Sequence, residues 1–374
     1  MGMAFQEIKK HCSTMHQDSP HIKRRFSKKV FAGTLAIGGD APVSVQSMTN
    51  TRTEDVRSTI EQIHRLEKAG CELVRVAVPT SAAAKTVSGI KRNICIPLAA
   101  DIHFDYRIAL KAIENGADKI RINPGNIGGP NRIHDVLRAA GERGIPIRIG
   151  VNAGSLEKKL IRRFKGVTAE ALVESALDHV RLAEDAGFEN LVVSVKASNV
   201  PMMIRANRLL SEKTTYPIHL GVTEAGTPKF GAIRSSVGIG TLLAEGIGDT
   251  IRVSLTGDPV DEIPAGFEIL KSLSLRRKGI TIVSCPTCGR THGELVDIAE
   301  RVEKALAEIE TPLTVAVMGC EVNGPGEAKE ADIGVACGPK SALLMRKGKV
   351  VRKIPLNEIV QTLIDEVNRW RCPP

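Results

Sequence analysis

DKIRINPGNIGGPNRIHDVLRAAGERGIPIRIGV, residues 118–151, reads as one unit of strand, helix and strand. Its two ends, DKIRIN from 118 and PIRIGV from 146, are short, apolar and β-branched, as buried parallel strands are. Between them, NRIHDVLRAAGERG from 131 has helical periodicity and closes on a glycine, a common signal for a helix C-terminus. The same alternation runs over residues 30–275. VSVQSM from 43, LVRVAV from 73, PLAAD from 97, NLVVSV from 190, PIHLGV from 217 and DTIRVSL from 249 bring the strand candidates to eight. DVRSTIEQIHRLEKAG from 55, TAEALVESALDHVRLAEDAG from 168 and KFGAIRSSVGIGTLLAEG from 229 supply further helices. Eight strands regularly separated by helices predict a closed (β/α)8 TIM barrel rather than an open doubly wound sheet.

Such a barrel concentrates its chemistry at the C-terminal ends of its strands. Those ends offer Arg75, Asp101 with His103, Arg121 with Asn123, Arg148 with Asn152, Lys196, His219 with Glu224, and Arg252 with Ser254. Side chains alternate faces along a strand, so Arg121 and Asn123 share a side, as do Arg252 and Ser254. Five of the set are permanent cations, and the rim supplies only Asp101 and Glu224 as evident counter-charges. Several cations are therefore expected to be buried without partners, which is costly. A bound anion removes that cost. Arginine forks match phosphate oxygens two at a time, so the expected ligand is a small molecule with two or more phosphates.

The character changes after the basic link at 275–279. ITIVSCPTCGR from 280, a helix pattern ELVDIAERVEKALAEI from 294, the run TVAVMGCEVNGPGEAKEADIGVACG from 314 and a terminal helix over 356–370 fit a compact α+β domain. The expected division is a flexible N-terminal extension at 1–23, the barrel at 24–276 and a smaller α+β iron-sulfur domain at 277–374. Cys285 and Cys288 lie on one tight turn, a spacing suited to a tetrahedral metal or a cluster corner. A zinc ribbon needs a second Cys-x-x-Cys, which is absent from this sequence. Cys320, at the end of a strand, is the natural third ligand, and Glu327 lies on the same loop. Cys12, Cys71, Cys95, Cys337 and Cys372 lack partners in motif spacing and read as ordinary packing or exposed thiols.

Composition narrows the class. The chain has 374 residues, 42% of them hydrophobic, enough for a well-buried globular protein. Lysine and arginine exceed aspartate and glutamate by 52 to 42, with patches at 23–29, 158–165 and 346–353. Only two Tyr, one Trp and eight Phe are present, and they do not interleave with the basic runs, so no nucleic-acid partner is expected. No apolar run reaches the roughly 18 residues of a membrane span, and charges interrupt the first thirty residues, so the expected location is cytoplasmic with no membrane partner. Eight cysteines in so long a chain suggest metal rather than a disulfide framework.

The strings SCPTCGR and MGCEVNGPGEAKEADIG, behind VRVAVP, ADIHFD, RINPGN, RIGVNAGSL, VSVKAS, HLGVTEAG and RVSLTGDP, closely resemble the bacterial 4-hydroxy-3-methylbut-2-enyl diphosphate synthase family. The resemblance runs from about residue 24 over nearly the whole chain. It implies the two-domain bacterial form, a barrel that binds 2-C-methyl-D-erythritol 2,4-cyclodiphosphate, and a 4Fe-4S cluster on Cys285, Cys288, Cys320 and Glu327. It further implies diphosphate contacts at Arg75, His103, Arg121, Arg148, Lys196 and Ser254, with Arg252 nearby, and places Asn123, Asn152 and Glu224 beside the reacting carbons. The implied reaction is a two-electron reductive ring opening with loss of the C3 hydroxyl as water, in the non-mevalonate route to isoprenoids. With no nucleotide or flavin motif in view, a separate flavodoxin or ferredoxin is the expected electron donor. Two alternatives remain from the residues alone: a non-redox iron-sulfur dehydratase acting on a phosphorylated substrate, and a zinc-stabilised phosphate-binding barrel.

Topology adds an expectation about assembly. The helix after strand eight, near 260–274, returns the chain to the face opposite the strand ends, about 20 Å away at about 1.5 Å per residue. The short link to Ile282 is expected not to swing Cys285 back over its own barrel. A head-to-tail homodimer, each cluster domain capping the other barrel, is therefore expected.

Overall fold

The computed structural model describes residues 22–123, 127–307, 309–320 and 324–371. Cys12, Cys372 and nearly all of the expected N-terminal extension lie outside the described residues. The chain divides into two compact units, with the break between Arg276 and Arg277.

The first unit opens with an antiparallel hairpin, β1 (Val30–Ala32) and β2 (Leu35–Ile37). Then come β3 (Ser44–Met48), β4 (Leu73–Ala77), β5 (Leu98–Ile102), β6 (Lys119–Ile122), β7 (Ile147–Asn152), β8 (Leu191–Lys196), β9 (His219–Leu220) and β10 (Thr250–Ile251). These are the eight expected runs, hydrogen-bonded in the order β8-β7-β6-β5-β4-β3-β10-β9. A parallel bridge from Val193 to Ile218 joins the two ends of that order, so the sheet closes on itself. Helices follow the strands, and several are capped by a side chain that accepts a backbone N–H: Asp55 from Ser58, Thr80 from Ala83, Thr168 from Ala171 and Asn199 from Met202.

Period-2 alternation explains how the barrel is packed. Val74, Val76, Ile120, Ile122, Ile147, Ile149, Val193 and Val195 turn outward into one core with the helices. Each such fully buried side chain contributes about 1.5–3 kcal/mol. The intervening residues face the barrel axis, where branched aliphatic layers are usual. Here the middle of the axis is polar, with Gln46, Arg75, Asp101, Lys119, Arg121, Arg148, Lys196 and His219 all buried. Only the N-terminal end is apolar, where Val30, Ala32 and Ile37 of the hairpin pack on Leu73, Ala99 and Val192. The sequence reading does not contain this hairpin, whose strands are three residues each.

The second unit is one mixed sheet in the order β11 (Ile280–Ser284), β12 (Leu313–Met318), β13 (Ile333–Cys337), β14 (Ser341–Arg346) and β15 (Lys349–Pro355). The first three strands are parallel and the last two antiparallel. Helices Leu295–Leu306 and Ile359–Arg371 bury Ile298, Val302, Leu363 and Val367 against Val315, Val317, Ile333 and Val335. The hairpin β14–β15 is a further element beyond the sequence reading. Among the described residues no helix is long and apolar enough to cross a membrane.

Candidate active site

Parallel pairing sets Asp101, Arg121 and Arg148 side by side in one row across β5, β6 and β7. Arg121 Nη1 donates to Asp101 Oδ1 at 2.9 Å, and Nη2 donates to the Gly150 carbonyl at 3.3 Å. Arg75 Nε lies 3.4 Å from Asp101 Oδ2 and 3.1 Å from Met48 Sδ. One carboxylate thus holds two guanidiniums. Burial by itself would raise the Asp101 carboxyl, but the charges of Arg75, Arg121 and Arg148 outweigh it and hold the group well below the usual carboxylate range. Burial in turn brings Arg75 down to about 10 despite Asp101.

The remaining cations are less satisfied. Arg148 is 2% exposed, and its Nε and Nη1 have no partner among the described residues. Burial and the charges of Arg75 and Arg121 act against its charged form, yet a guanidinium keeps its proton. The cost therefore persists until an anion arrives. Lys196 is buried too, and burial with the charges of Arg148 and Arg75 pushes its ammonium far down. His219 is enclosed; its Nδ1 accepts from Gln46 Nε2 at 2.8 Å, which puts the ring proton on Nε2. Burial and the surrounding cations keep this ring neutral.

The counter-charge count from sequence needs correction. Glu262, at the start of the helix Glu262–Ser272, accepts from Arg252 Nη2 at 2.9 Å and Nε at 3.0 Å, and from Ser47 Oγ at 2.6 Å. Arg252 is therefore a paired cation, and the groups left short of partners are Arg148 and the buried lysines Lys196 and Lys119. Sequence carried a faint signal for this, an acidic residue opening the helix after the last strand, ten positions beyond Arg252. The reading also passed over Lys119, which shares the inner face of β6 with Arg121 two residues on.

Two glycines, Gly150 in β7 and Gly221 just after β9, make room for the long cations. A Cβ on Gly150 would lie 2.7 Å from Arg121 Nε, and one on Gly221 would lie 2.6 Å from Lys196 Nζ. At Gly150 a side chain would fit only if Arg121 moved, and at Gly221 it would also meet the Arg252 carbonyl oxygen at 2.7 Å.

At the rim Asn123 is still buried, whereas the other residues are more open. Asn123 Nδ2 donates to Ser155 Oγ at 2.7 Å, and Ser155 Oγ donates to the Asn152 carbonyl at 3.3 Å, tying the end of β6 to the turn after β7. His103 and Ser254 are half-buried at the ends of their strands. Glu224 is exposed with φ +53°, a left-handed conformation uncommon for glutamate and of the kind that clusters at functional turns.

In the second unit the parallel pairs Ser284–Val317 and Met318–Ala336 bring Cys285, Cys320 and Cys337 to the same edge of the sheet. The Gly319 N–H donates to Cys285 Sγ at 3.2 Å, the kind of bond that supports a thiolate ligand. Cys288 is exposed, and hydrogen bonds from the Arg290 backbone and side chain hold its thiol below the ordinary range. Cys337 is enclosed and sits near Cys285; burial and that neighbour push it up to about 11. Glu327 is exposed on the short helix Gly324–Glu327, past residues 321–323, which are outside the described part. Among the described residues no three His, Cys, Asp or Glu side chains form a ready-made metal site. The donor set suits soft iron chemistry all the same, with two thiols at adjacent strand ends, a third of lowered basicity and a donated N–H on sulfur.

Comparison with known proteins bears on both units. The GcpE TIM-barrel domain matches residues 27–267, and the GcpE protein C-terminal domain matches residues 281–369. A protein of Ruminiclostridium cellulolyticum named 4-hydroxy-3-methylbut-2-en-1-yl diphosphate synthase (flavodoxin) is 59% identical over 347 residues, 93% of this chain and 98% of its own. Its namesakes in Caldanaerobacter subterraneus and Geobacter sulfurreducens are 56% and 57% identical, each over 92% of this chain and over 98% and 97% of their own. The chain belongs to the GcpE family.

Proposed function

We propose that this chain is a flavodoxin-dependent 4-hydroxy-3-methylbut-2-en-1-yl diphosphate synthase. It opens the ring of 2-C-methyl-D-erythritol 2,4-cyclodiphosphate with two electrons and loss of one water. The observation that carries the reading is the buried, incompletely paired cation set of Arg148, Lys196 and Arg121 in a chain 59% identical to an enzyme of that name. Those cations, with Arg75, His103 and Ser254, hold the diphosphate. They also stabilise the phosphate oxygen that leaves the ring, an effect strong in a preorganised site away from water. Asn123 and Asn152 orient the carbon skeleton, with His219 and Asp101 below them setting the cation geometry. Glu224 moves the proton as the C3 hydroxyl departs.

Cys285, Cys288 and Cys320 with Glu327 are the proposed holders of a 4Fe-4S cluster, which when bound would supply electrons one at a time. A carboxylate is a harder and more readily displaced ligand than a thiolate, which suits Glu327 to yield its place. The proposed location is the cytoplasm.

A head-to-tail homodimer completes the proposal. The helix Glu262–Ser272 is separated from β11 only by residues 273–279, a short link for a domain that must reach a barrel mouth. Phe230, Ile233 and Val237, 58%, 56% and 54% exposed on one face of the helix Pro228–Ala244, leave an apolar row that association would cover. Mixing Cys288→Ser chains with Arg121→Ala chains should restore activity, because a mixed dimer holds one intact barrel and one intact cysteine set. Formation of mixed dimers without activity would place the whole site within one chain.

The activity itself is tested by anaerobic turnover of the cyclic diphosphate with reduced flavodoxin, ferredoxin and no donor. Dependence on flavodoxin is expected. Turnover without a donor would return the non-redox dehydratase reading, and a colourless active protein would return the zinc reading.

A further inference from the structure

Lys119 opens β6 and points into the barrel beneath Arg121, yet neither the substrate contacts implied by resemblance nor the proton route uses it. The side chain is 2% exposed, and its Nζ has no hydrogen-bond partner among the described residues. A buried ammonium normally has a carboxylate beside it. Here the charges acting on Lys119 are those of Arg148 on β7 and Arg75 on β4, both of its own sign. Asp101 on β5 is already shared between Arg75 and Arg121, and Glu262 is held by Arg252 beyond β10. His219 on β9 and Lys196 on β8 belong to the same cluster, and β3 contributes only the uncharged Gln46. Below lies the apolar floor of Val30, Ala32 and Ile37.

Two kinds of cation are thus packed together. Arg75, Arg121 and Arg148 cannot shed their protons, whereas an amine can. Burial and the two guanidiniums favour the neutral amine at Lys119 while the barrel holds no anion. A diphosphate brings several negative charges into the same low-dielectric space and reverses that balance.

We propose that Lys119 is the floor of the anion site, a cation assembled only when a diphosphate enters, its proton taken from solvent with the ligand and returned when product leaves. The proposal rests on the diphosphate reading of the barrel. It assigns Lys119 a positioning and charge-balancing part that a fixed arginine could not play, since the empty barrel would then carry one more unpaired charge. It also fixes a sign. Binding takes up a proton, so affinity is highest at low pH and falls as pH rises through the value of Lys119 in the complex.

The test is calorimetry of the whole enzyme at neutral pH, in buffers of different ionisation heat, with 2-C-methyl-D-erythritol 2,4-cyclodiphosphate and separately with inorganic pyrophosphate. Wild type should take up protons with either anion, whereas Lys119→Met should take up fewer and bind about tenfold more weakly. Unchanged affinity and uptake in that variant overturn the proposal. Should Lys119→Met not fold, wild type carrying 15N at lysine Nζ reads the same event. A buried ammonium signal that appears with ligand supports the proposal, and its absence refutes it. Lysine-dependent uptake with pyrophosphate but no binding of the cyclic diphosphate would keep Lys119 and discard the substrate. Binding of neither anion would discard both.

Discussion

The barrel axis and the cysteine edge of the second sheet are the two halves of the proposed site, and they are built in opposite ways. In the barrel, Asp101, Arg121 and Arg148 stand in one row of neighbouring strands, and Arg121 is held by Asp101 and the Gly150 carbonyl. The guanidinium charges are in place before any ligand arrives, and part of their cost is left unmet. At the cysteine edge, Cys285 and Cys320 are set by adjacent strands, but Cys288 is exposed on a loop and Glu327 on a single-turn helix. As the proposed ligand set, these residues would need a metal to gather them. The lesson is about where folding free energy is spent: closed-sheet register can hold unfavourable charge against a polar ligand, whereas loop ligands gain their order from the metal.

The largest expected effect breaks the second half alone. Cys288→Ser should lose more than about 100-fold in turnover, beyond what changes outside the ligand shell usually cost, and should lose iron. Its affinity for the cyclic diphosphate, measured by calorimetry, should stay at the wild-type value. Normal iron content in that variant would remove Cys288 from the ligand set.

Asp101→Asn attacks the barrel where one carboxylate serves two guanidiniums. Removing it should cost about 3–5 kcal/mol in urea unfolding, because the partners stay buried and charged. The folded Asp101 carboxyl is depressed, so its contribution is fully present above its unfolded value and is lost only as pH falls through the folded one. Wild type and variant should therefore converge in stability in strong acid, and a gap that persisted there would point to packing instead.

Arg121→Ala should leave iron content unchanged and weaken binding of the cyclic diphosphate by roughly 10- to 100-fold, the loss of one charge-assisted contact. Unchanged affinity would free Arg121 of its assigned contact.

Gly150→Ala is the mildest and the sharpest. The added methyl would lie 2.7 Å from Arg121 Nε, so the guanidinium must shift while its charge remains. Overpacking of about 1 kcal/mol in stability is expected, with a rise in KM smaller than for Arg121→Ala. A KM equal to wild type would mean that Arg121 has room to move without consequence.

Eight β-branched runs at regular spacing made the barrel legible in the sequence, because period-2 apolar strands between amphipathic helices are a local signal. The strings SCPTCGR and MGCEVNGPGE likewise carried the family and pointed to the proposed cysteine set, and the five rim cations were readable as a group. What the sequence could not decide was which charges are matched. Glu262 reaches Arg252 and Ser47, the latter 215 residues away, only because the barrel closes. Lys119 becomes a buried amine, and Gly150 becomes the space for Arg121, only when β6 and β7 take their register. Cys337 meets Cys285 across a neighbouring strand for the same reason. Element type follows from neighbours along the chain, whereas charge pairing and the room for a side chain follow from contacts across it, and these exist only once the sheet has closed.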